Sequence, residues 1–175
     1  GKTRVWNSGG VEPAGFRDMG SPEQPVWTGS MDLPPERRGL KVLGTPLGTP
    51  AFVNQQLREI RDEHERLLAT LRDMPELQSS WLLLSMCASN RANYYLRTLP
   101  PSQTLQFAHE HDEAMVRVLE ELLDQPGGSE QELRRARRLA QLPLRMGGLG
   151  LRSGVRTGPA AYWASWADCL HMVHR

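Results

Sequence analysis

The distribution of proline and glycine constrains this fold more than any other feature of the sequence. Seven of the 13 prolines and nine of the 16 glycines lie within residues 1–50. Proline lacks a backbone N–H and glycine weakens regular structure, so this density forbids long helices and favours loops around short strands. The other six prolines, at 75, 100, 101, 126, 143 and 159, divide the rest of the chain into segments long enough for helices.

Two apolar runs in the N-terminal region, residues 3–6 and 40–43, are typical of short strands. Both contain bulky or β-branched side chains and end near Gly or Asn. We expect these two strands to pair with each other. The stretch between them is predicted to be a long loop, with one more short strand at residues 26–28.

Beyond Pro50, apolar residues recur with the spacing of helices. The predicted helices cover about residues 51–74, 76–98, 102–124, 129–142 and 159–175. The fold class is therefore mainly α, a helical bundle preceded by a short antiparallel β element.

Local signals refine three of these helices. The run at residues 81–88 is apolar nearly all round, which predicts that the second helix is central and the most buried. Ser102 is expected to cap the third helix, with Leu105 on its inward side. Ser129 and Glu132 have the spacing of a capping box at the start of the fourth.

The composition is that of a soluble globular domain, with 39% hydrophobic and 23% charged residues, which excludes wholesale disorder. There is no run of 18 apolar residues, so no membrane partner is expected. Two cysteines, Cys87 and Cys169, do not make a disulfide framework and favour an intracellular setting, nucleus or cytoplasm. With neither an initiator Met nor a signal peptide, we expect an internal piece of a longer protein.

The charges are balanced overall but segregated along the chain. There are 21 basic and 20 acidic residues, and all the basic ones except Lys2 and Lys41 are Arg. Residues 101–132 carry eight acids and one Arg, whereas residues 133–167 carry seven Arg and no acid. Those seven are Arg134, Arg135, Arg137, Arg138, Arg145, Arg152 and Arg156.

The arginine block has two interpretations that the sequence leaves open. Arginine binds phosphate through two donors and stacks on bases, and Tyr162, Trp163 and Trp166 follow closely. Basic side chains interleaved with aromatic ones are typical of a nucleic-acid interface. Alternatively, the basic fourth helix pairs with the acidic third helix inside the molecule, because charge runs are often self-compensated.

Patterns for nucleotide binding or catalysis are weak. Residues 1–3 match the end of a P-loop, but the residues after them predict a strand and not the helix that a P-loop needs. Residues 148–153 follow no convincing strand, so a simple turn is expected there and not a dinucleotide-binding loop. No spacing of Ser, His and acidic residues singles out a nucleophile and its base.

The histidines do not predict a metal site. On a helix, His109 and His111 lie about 200° apart and cannot bind one ion together. His171 and His174 could share a face, with Asp168 and Cys169 nearby, but no third ligand is evident. Zinc needs three or four convergent ligands, so we expect these histidines on the solvated surface and no metal held by this chain.

Five segments, in order, resemble non-LTR (LINE-type) retrotransposon reverse transcriptases. They are G-K-T (1–3), L-K-V-L-G-T-P-L-G (40–48), Y-L-R-T-L-P-P (95–101), L-P-L-R-M-G-G-L-G-L (142–151) and A-A-Y-W-A-S-W (160–166). Each is weakly specific alone, but together they cover essentially the whole chain in the family's order.

The resemblance implies a division of the chain and roles for several residues. Residues 1–50 would be the end of the polymerase palm with a long loop, residues 51–142 a helical thumb, and residues 143–175 a post-thumb connector. Lys2 would assist nucleotidyl transfer near the incoming triphosphate, and Lys41 and Gly44 would belong to the primer grip. The seven arginines would contact the backbone of an RNA template–DNA primer duplex.

The departure from the family is as informative as the match. A polymerase palm uses two metal ions held by carboxylates, and the family has an Asp-Asp hairpin upstream of these segments. No Asp-Asp pair occurs in this sequence. The chain is therefore expected to bind no cofactor itself, since the parent's Mg²⁺ would be held by the missing upstream palm and fingers of the same polyprotein. The alternative is an inactive helical remnant or interaction module with at most non-specific nucleic-acid binding.

We predict that the isolated chain does not extend a DNA primer on an RNA template in the presence of Mg²⁺. The parent would be an RNA-directed DNA polymerase, a nucleotidyltransferase, but the carboxylates that hold its metals are absent here. A primer-extension assay checks this, and any metal-dependent incorporation would show that the catalytic site was misplaced.

Overall fold

The computed structural model describes residues 3–16, 19–21, 24–124 and 128–173. The chain divides into two compact units, Gly1–Ile60 and Arg61–Arg175. Short strands and the start of a long helix form the first unit, and helices form the second. Within the described ranges, no helix is both long and apolar enough to cross a membrane. The mainly α fold class with a short antiparallel β element is confirmed.

The first unit contains two antiparallel strand pairs. Strands β1 (Gly20–Ser21) and β2 (Gln24–Pro25) form one, and β3 (Gly39–Val42) and β4 (Thr45–Gly48) form the other. The second pair is a hairpin closed by Leu43 and Gly44, whose φ angles are 50° and 90°. Positive φ at both turn residues matches the twist of the flanking strands.

The predicted pairing of residues 3–6 with residues 40–43 is wrong. Val5 forms a parallel bridge with Trp27, in which Val5 N donates to Val26 O at 2.8 Å and Thr28 N donates to Val5 O at 2.9 Å. Residues 40–43 pair instead with the segment that follows them. A two-residue turn closes that hairpin with far less loss of chain entropy than a loop of some thirty residues would cost.

Six α-helices follow in the described ranges, and three of them lie close to the predicted segments. They are α1 (Pro50–Arg72), α2 (Leu77–Leu82), α3 (Asn93–Thr98), α4 (Pro101–Leu122), α5 (Glu130–Gln141) and α6 (Gly154–Val173). The capping box at the start of α5 is confirmed, because Ser129 Oγ accepts from Glu132 N and the Glu132 carboxylate accepts from Ser129 N. The hydroxyl of Ser129 also donates to that carboxylate and lowers the pKa of Glu132.

The single helix predicted over residues 76–98 is wrong. Between α2 and α3 the chain forms a π-helical turn (Leu83–Cys87) and a 3₁₀ turn (Ala88–Asn90). Ser85 Oγ donates to Trp81 O at 2.8 Å, and Ser89 Oγ donates to Ser85 O at 2.5 Å. Such side-chain bonds to carbonyls one turn earlier compete with the regular helical ladder.

This segment is also not buried on all sides, as the apolar run had predicted. Leu84 is fully buried, but Leu82, Leu83 and Met86 are 46%, 39% and 67% exposed. The apolar composition therefore supplies one core residue per turn and leaves the other face in solvent.

Two smaller expectations for α4 are wrong as well. The helix begins at Pro101, and its N-cap, Pro100, makes no side-chain bond, so Ser102 is not the cap. A proline in the first turn needs no hydrogen-bond partner for its nitrogen, which suits this start. Leu105 is 54% exposed and does not point inward.

Helix α6 begins at Gly154, five residues before the predicted start at Pro159, because α4 supplies its cap. The carboxylate of Asp112 accepts from Ser153 Oγ and Gly154 N, both at 2.6 Å, and from Val155 N at 3.3 Å. A carboxylate at this end satisfies unpaired backbone N–H groups and interacts favourably with the helix dipole. Pro159 is accommodated inside the helix.

Glycine brings α6 close to its neighbours. A Cβ on Gly154 would lie 3.4 Å from Leu96 on α3 and 3.5 Å from Ala108 on α4, and one on Gly158 would lie 3.3 Å from Leu96. The distances at Gly154 are ordinary van der Waals contact and the one at Gly158 is tighter, so α6 packs closely against α3 and α4 at these two glycines.

The main core of the second unit is a cluster of buried apolar side chains from several of its elements. Its members are Leu68, Leu71, Leu84, Ala88, Ala114, Met115, Val116, Val118, Leu119, Ala140 and Leu151. Helix α4 contributes five of them, so it is the central helix of this unit.

Replacing Asp112 by Asn should lower the free energy of unfolding by about 1–3 kcal/mol, since three charge-assisted bonds at the start of α6 are lost or weakened. Urea denaturation measures this. The matched control is Glu113→Gln on the same helix, where the side chain is exposed and an effect within about 0.5 kcal/mol is expected. Equal effects of the two variants would contradict the role of Asp112.

Candidate nucleic-acid interface

Helix α5 presents three arginines to solvent on one side. At 100° per residue, Arg134, Arg135 and Arg138 fall within an arc of about 100°, opposite the buried Ala140. All three side chains are exposed, whereas Arg137 is half-buried. We call Arg134, Arg135 and Arg138 the α5 arginine face.

The acidic residues of α4 are paired mainly with α1. Arg61 Nη1 lies 2.8 Å from Glu110 Oε2, and Arg72 Nε lies 2.8 Å from Glu121 Oε2. Between them, Arg117 Nη2 lies 2.7 Å from Glu65 Oε1, with the signs reversed. The residue numbers rise together in both helices, so the two helices run in the same direction. Two of the eight acids in residues 101–132, Glu110 and Glu121, are therefore paired with α1 and not with α5.

The α5 arginines pair only weakly with α4. Arg137 Nε lies 3.9 Å from Glu120 Oε1, and neither atom has a hydrogen-bond partner. Arg134 pairs with Glu130 one turn earlier on its own helix. Arg135 and Arg138 have no ion pair with any residue that the structure describes. Compensation of the basic helix by the acidic helix is therefore limited to one loose contact.

The other three arginines of the block are exposed around the start of α6. Arg145 lies in a 3₁₀ turn (Leu144–Met146), Arg152 in the following loop, and Arg156 in the first turn of α6. None of them forms an ion pair within the described ranges. The structure thus brings all seven arginines into the second unit, six of them exposed.

The glycine-rich stretch between α5 and α6 is a tight turn, as expected. Gly147 and Gly150 have φ angles of 78° and 72°, and a Cβ on Gly148 would lie 2.1 Å from Leu142 O. Gly150 N donates to Leu142 O at 2.8 Å, and Leu151 N donates to Ala140 O at 2.9 Å. The turn therefore folds back on the end of α5 and satisfies its last carbonyls.

Three aromatic rings lie together on α6. The ring centroids of Tyr162 and Trp163 are 5.8 Å apart, and those of Tyr162 and Trp166 are 6.3 Å apart. Trp163 is 68% exposed and Trp166 is 47% exposed. Exposed aromatic surface therefore lies on the same unit as the seven arginines.

The candidate residues of the N-terminal region belong to the first unit. Lys41 is exposed on β3, and Gly44 takes its positive φ in the hairpin turn beside Leu43, which is 93% exposed. Lys2, the candidate assisting residue, lies outside the described residues.

The expectation that His111 lies on the solvated surface is wrong. It is 3% exposed, its ring centroid lies 5.8 Å from that of His64, and its Nε2 lies 3.4 Å from Ser89 O. Phe107 packs beside both rings. His64 falls on the apolar side of the helical periodicity, which is the one sequence signal for this burial.

Burial controls the protonation of this histidine pair. Loss of solvent, with smaller contributions from His111 and Arg91, lowers the pKa of His64 to about 4, and its Nδ1 has no hydrogen-bond partner. Burial also lowers the pKa of His111, against the opposing effect of Ser89 O and Asp112. Both rings are therefore neutral at pH 7.

Across the described ranges, no group of three or more His, Cys, Asp or Glu is placed to hold a metal ion. His109 and His171 are exposed on α4 and α6, and His174 lies outside those ranges. Asp112, next to His111, serves as the cap of α6. Sequence reasoning missed this role, because nothing local connects Asp112 to a helix start some forty residues later.

Comparison with known proteins finds one informative similarity. Over 101 residues, 57% of the chain, it is 34% identical to the retrotransposable element SLACS 132 kDa protein of Trypanosoma brucei gambiense. The chain is retrotransposon-related. The match spans 8% of that relative's length. No family model and no solved structure matches the chain.

The buried His64 should make stability depend on pH. Its pKa is about 4 in the folded state and 6.5 in the unfolded state, so the unfolded state binds more protons between these values. The free energy of unfolding is therefore highest above about pH 6.5, and it falls by up to about 3 kcal/mol as the pH drops toward 4. Urea denaturation across this pH range measures the slope.

The variant His64→Leu should reduce the dependence of the free energy of unfolding on pH between pH 6.5 and 4. The dependence that is left would come from His111 and the carboxylates. His109→Leu, an equal change at an exposed position of α4, should leave it unchanged. A full slope in His64→Leu would contradict the assignment.

Proposed function

We propose that this chain is the C-terminal part of a non-LTR (LINE-type) retrotransposon reverse transcriptase and grips the primer and the template–primer duplex. In this proposal, residues 1–50 complete the palm, residues 51–142 form the thumb and residues 143–175 form the connector behind it. The similarity to a retrotransposable-element protein and the order of the five motifs support this.

The uncompensated arginines of the second unit carry the proposal. Glu110 and Glu121 of α4 pair with Arg61 and Arg72 of α1, and Asp112 caps α6, so none of these three carboxylates pairs with the α5 arginine face. Arg135 and Arg138 remain exposed with no ion pair among the described residues. A surface with surplus positive charge and planar guanidinium groups suits phosphate oxygens.

Binding on this surface would be independent of base sequence. Contacts to phosphate position a protein on a duplex without reading its bases, which is what a polymerase thumb needs as the duplex moves. Lys41 and Gly44, at the β3–β4 hairpin, would hold the primer end, and Lys2 would lie near the incoming triphosphate. The metal chemistry would belong to the upstream part of the parent protein.

We expect the chain to bind an RNA–DNA hybrid with an affinity that falls steeply as salt rises, because each phosphate contact releases counterions. The double variant Arg135→Gln/Arg138→Gln should weaken binding and lower the slope of log K against log salt by about two. Fluorescence anisotropy at several salt concentrations measures both quantities.

The matched control is Arg66→Gln/Arg91→Gln, which removes the same charge from exposed positions outside the α5 arginine face. This variant should change the slope of log K against log salt by less than about 0.5, which is half the effect of one phosphate contact. Binding that does not depend on salt, or an equal loss of affinity in both double variants, would contradict the thumb assignment. The inactive remnant or interaction module would then be the function.

A further inference from the structure

Helix α6 extends beyond the body of the second unit. Its first turns are anchored by the buried Gly154 and Gly158, and Ser165 Oγ donates to Arg97 O at 2.7 Å. From Trp166 to Val173 every residue is exposed. These last two turns continue a helix that is already nucleated, and they leave their whole surface free for a partner.

The projecting end carries a continuous apolar stripe. Trp163, Trp166, Leu170 and Val173 are 68%, 47%, 46% and 67% exposed and are separated by three, four and three residues. This is the heptad spacing of helices that pack along one seam. The four side chains fall within an arc of about 80°, centred about 120° from the glycine side that packs on the body.

Among the residues that the structure describes, the flanks of the stripe carry no charged side chain. The positions beside the seam are Ala160, Tyr162, Ala167 and Cys169. These are the positions where charged side chains normally select or reject a partner helix. The exposed Asp168 points away from the seam, so nothing here repels an identical uncharged surface.

The stripe is complementary to itself in the antiparallel direction. Turning one copy about a two-fold axis near Asp168 places Trp163 opposite Val173 and Trp166 opposite Leu170 of the second copy. Each large ring then meets a smaller side chain, and every contact occurs twice. A parallel arrangement would instead place like on like, with tryptophan against tryptophan.

We propose that the Trp163–Val173 stripe of α6 pairs antiparallel with the same stripe of a second copy of this chain. One seam of four side chains per copy is smaller than a standard stable interface, so the dimer forms at micromolar concentrations and is reversible. This inference rests on α6 alone and is independent of the proposed duplex-binding function.

Sedimentation equilibrium tests the pairing. The weight-average mass should rise toward twice the monomer mass between about 1 and 100 µM, and Trp163→Glu or Trp166→Glu should each raise the dissociation constant at least about tenfold. Met172→Glu is the matched control, since Met172 is 63% exposed but lies about 140° from the stripe. Circular dichroism confirms that each variant is folded.

Cross-linking tests the direction. The antiparallel pair places both copies of Cys169 on the same side of the seam near the two-fold axis, so a short bis-maleimide should cross-link the dimer. Cys169→Ser should abolish the product, and Cys87→Ser, at another exposed cysteine, should keep it.

Three results would overturn the proposal. They are a monomer at every concentration, equal loss of dimer in Met172→Glu, and cross-linking that does not depend on Cys169. If the chain stays monomeric while Trp163→Glu weakens binding to the RNA–DNA hybrid, the stripe stacks on nucleic acid instead.

Discussion

The carboxylate of Asp112 is the contact on which the C-terminal third of the second unit depends. It binds the first backbone N–H groups of α6 at 2.6 Å and 3.3 Å, and it accepts the hydroxyl of Ser153. Because Asp112 lies on the central helix of the core, the start of α6 is placed relative to that core. Arg156 and the aromatic rings of α6 take their positions from this anchor together with the close packing at Gly154 and Gly158 and the bond from Ser165 Oγ to Arg97 O.

The charge pattern acquires its meaning from which helices touch. Glu110 and Glu121 of α4 form ion pairs with Arg61 and Arg72 of α1. Arg117 of α4 pairs in turn with Glu65 of α1. Partly exposed pairs of this kind contribute at most about 1 kcal/mol each. They also occupy Glu110 and Glu121, and among the described residues Arg135 and Arg138 of α5 and Arg145 and Arg152 after it form no ion pair.

Two surfaces of different chemistry therefore occur on the same unit. The α5 arginine face is positively charged, which suits the phosphates of a nucleic-acid backbone. The stripe on the end of α6 is apolar with neutral flanks, which suits an equally neutral helix. We propose the first surface for an RNA–DNA duplex and the second for another copy of this chain.

The sequence by itself determined several features that depend on local chemistry. Apolar periodicity defined α1, α4 and α5, the Ser129–Glu132 spacing defined a capping box, and Gly147 to Gly150 defined a turn. The order of five short motifs indicated a retroelement, and the comparison supports that relation.

Only the tertiary structure decided what depends on partners distant in sequence. The early start of α6 comes from Asp112, and the burial of His111 comes from packing against His64 and the carbonyl of Ser89. Glu110 and Glu121 of α4 pair with α1 and Glu120 reaches only Arg137, so Arg135 and Arg138 have no ion pair among the described residues. Hydrogen bonds and ion pairs act within a few ångströms, and a linear sequence does not state which residues lie that close.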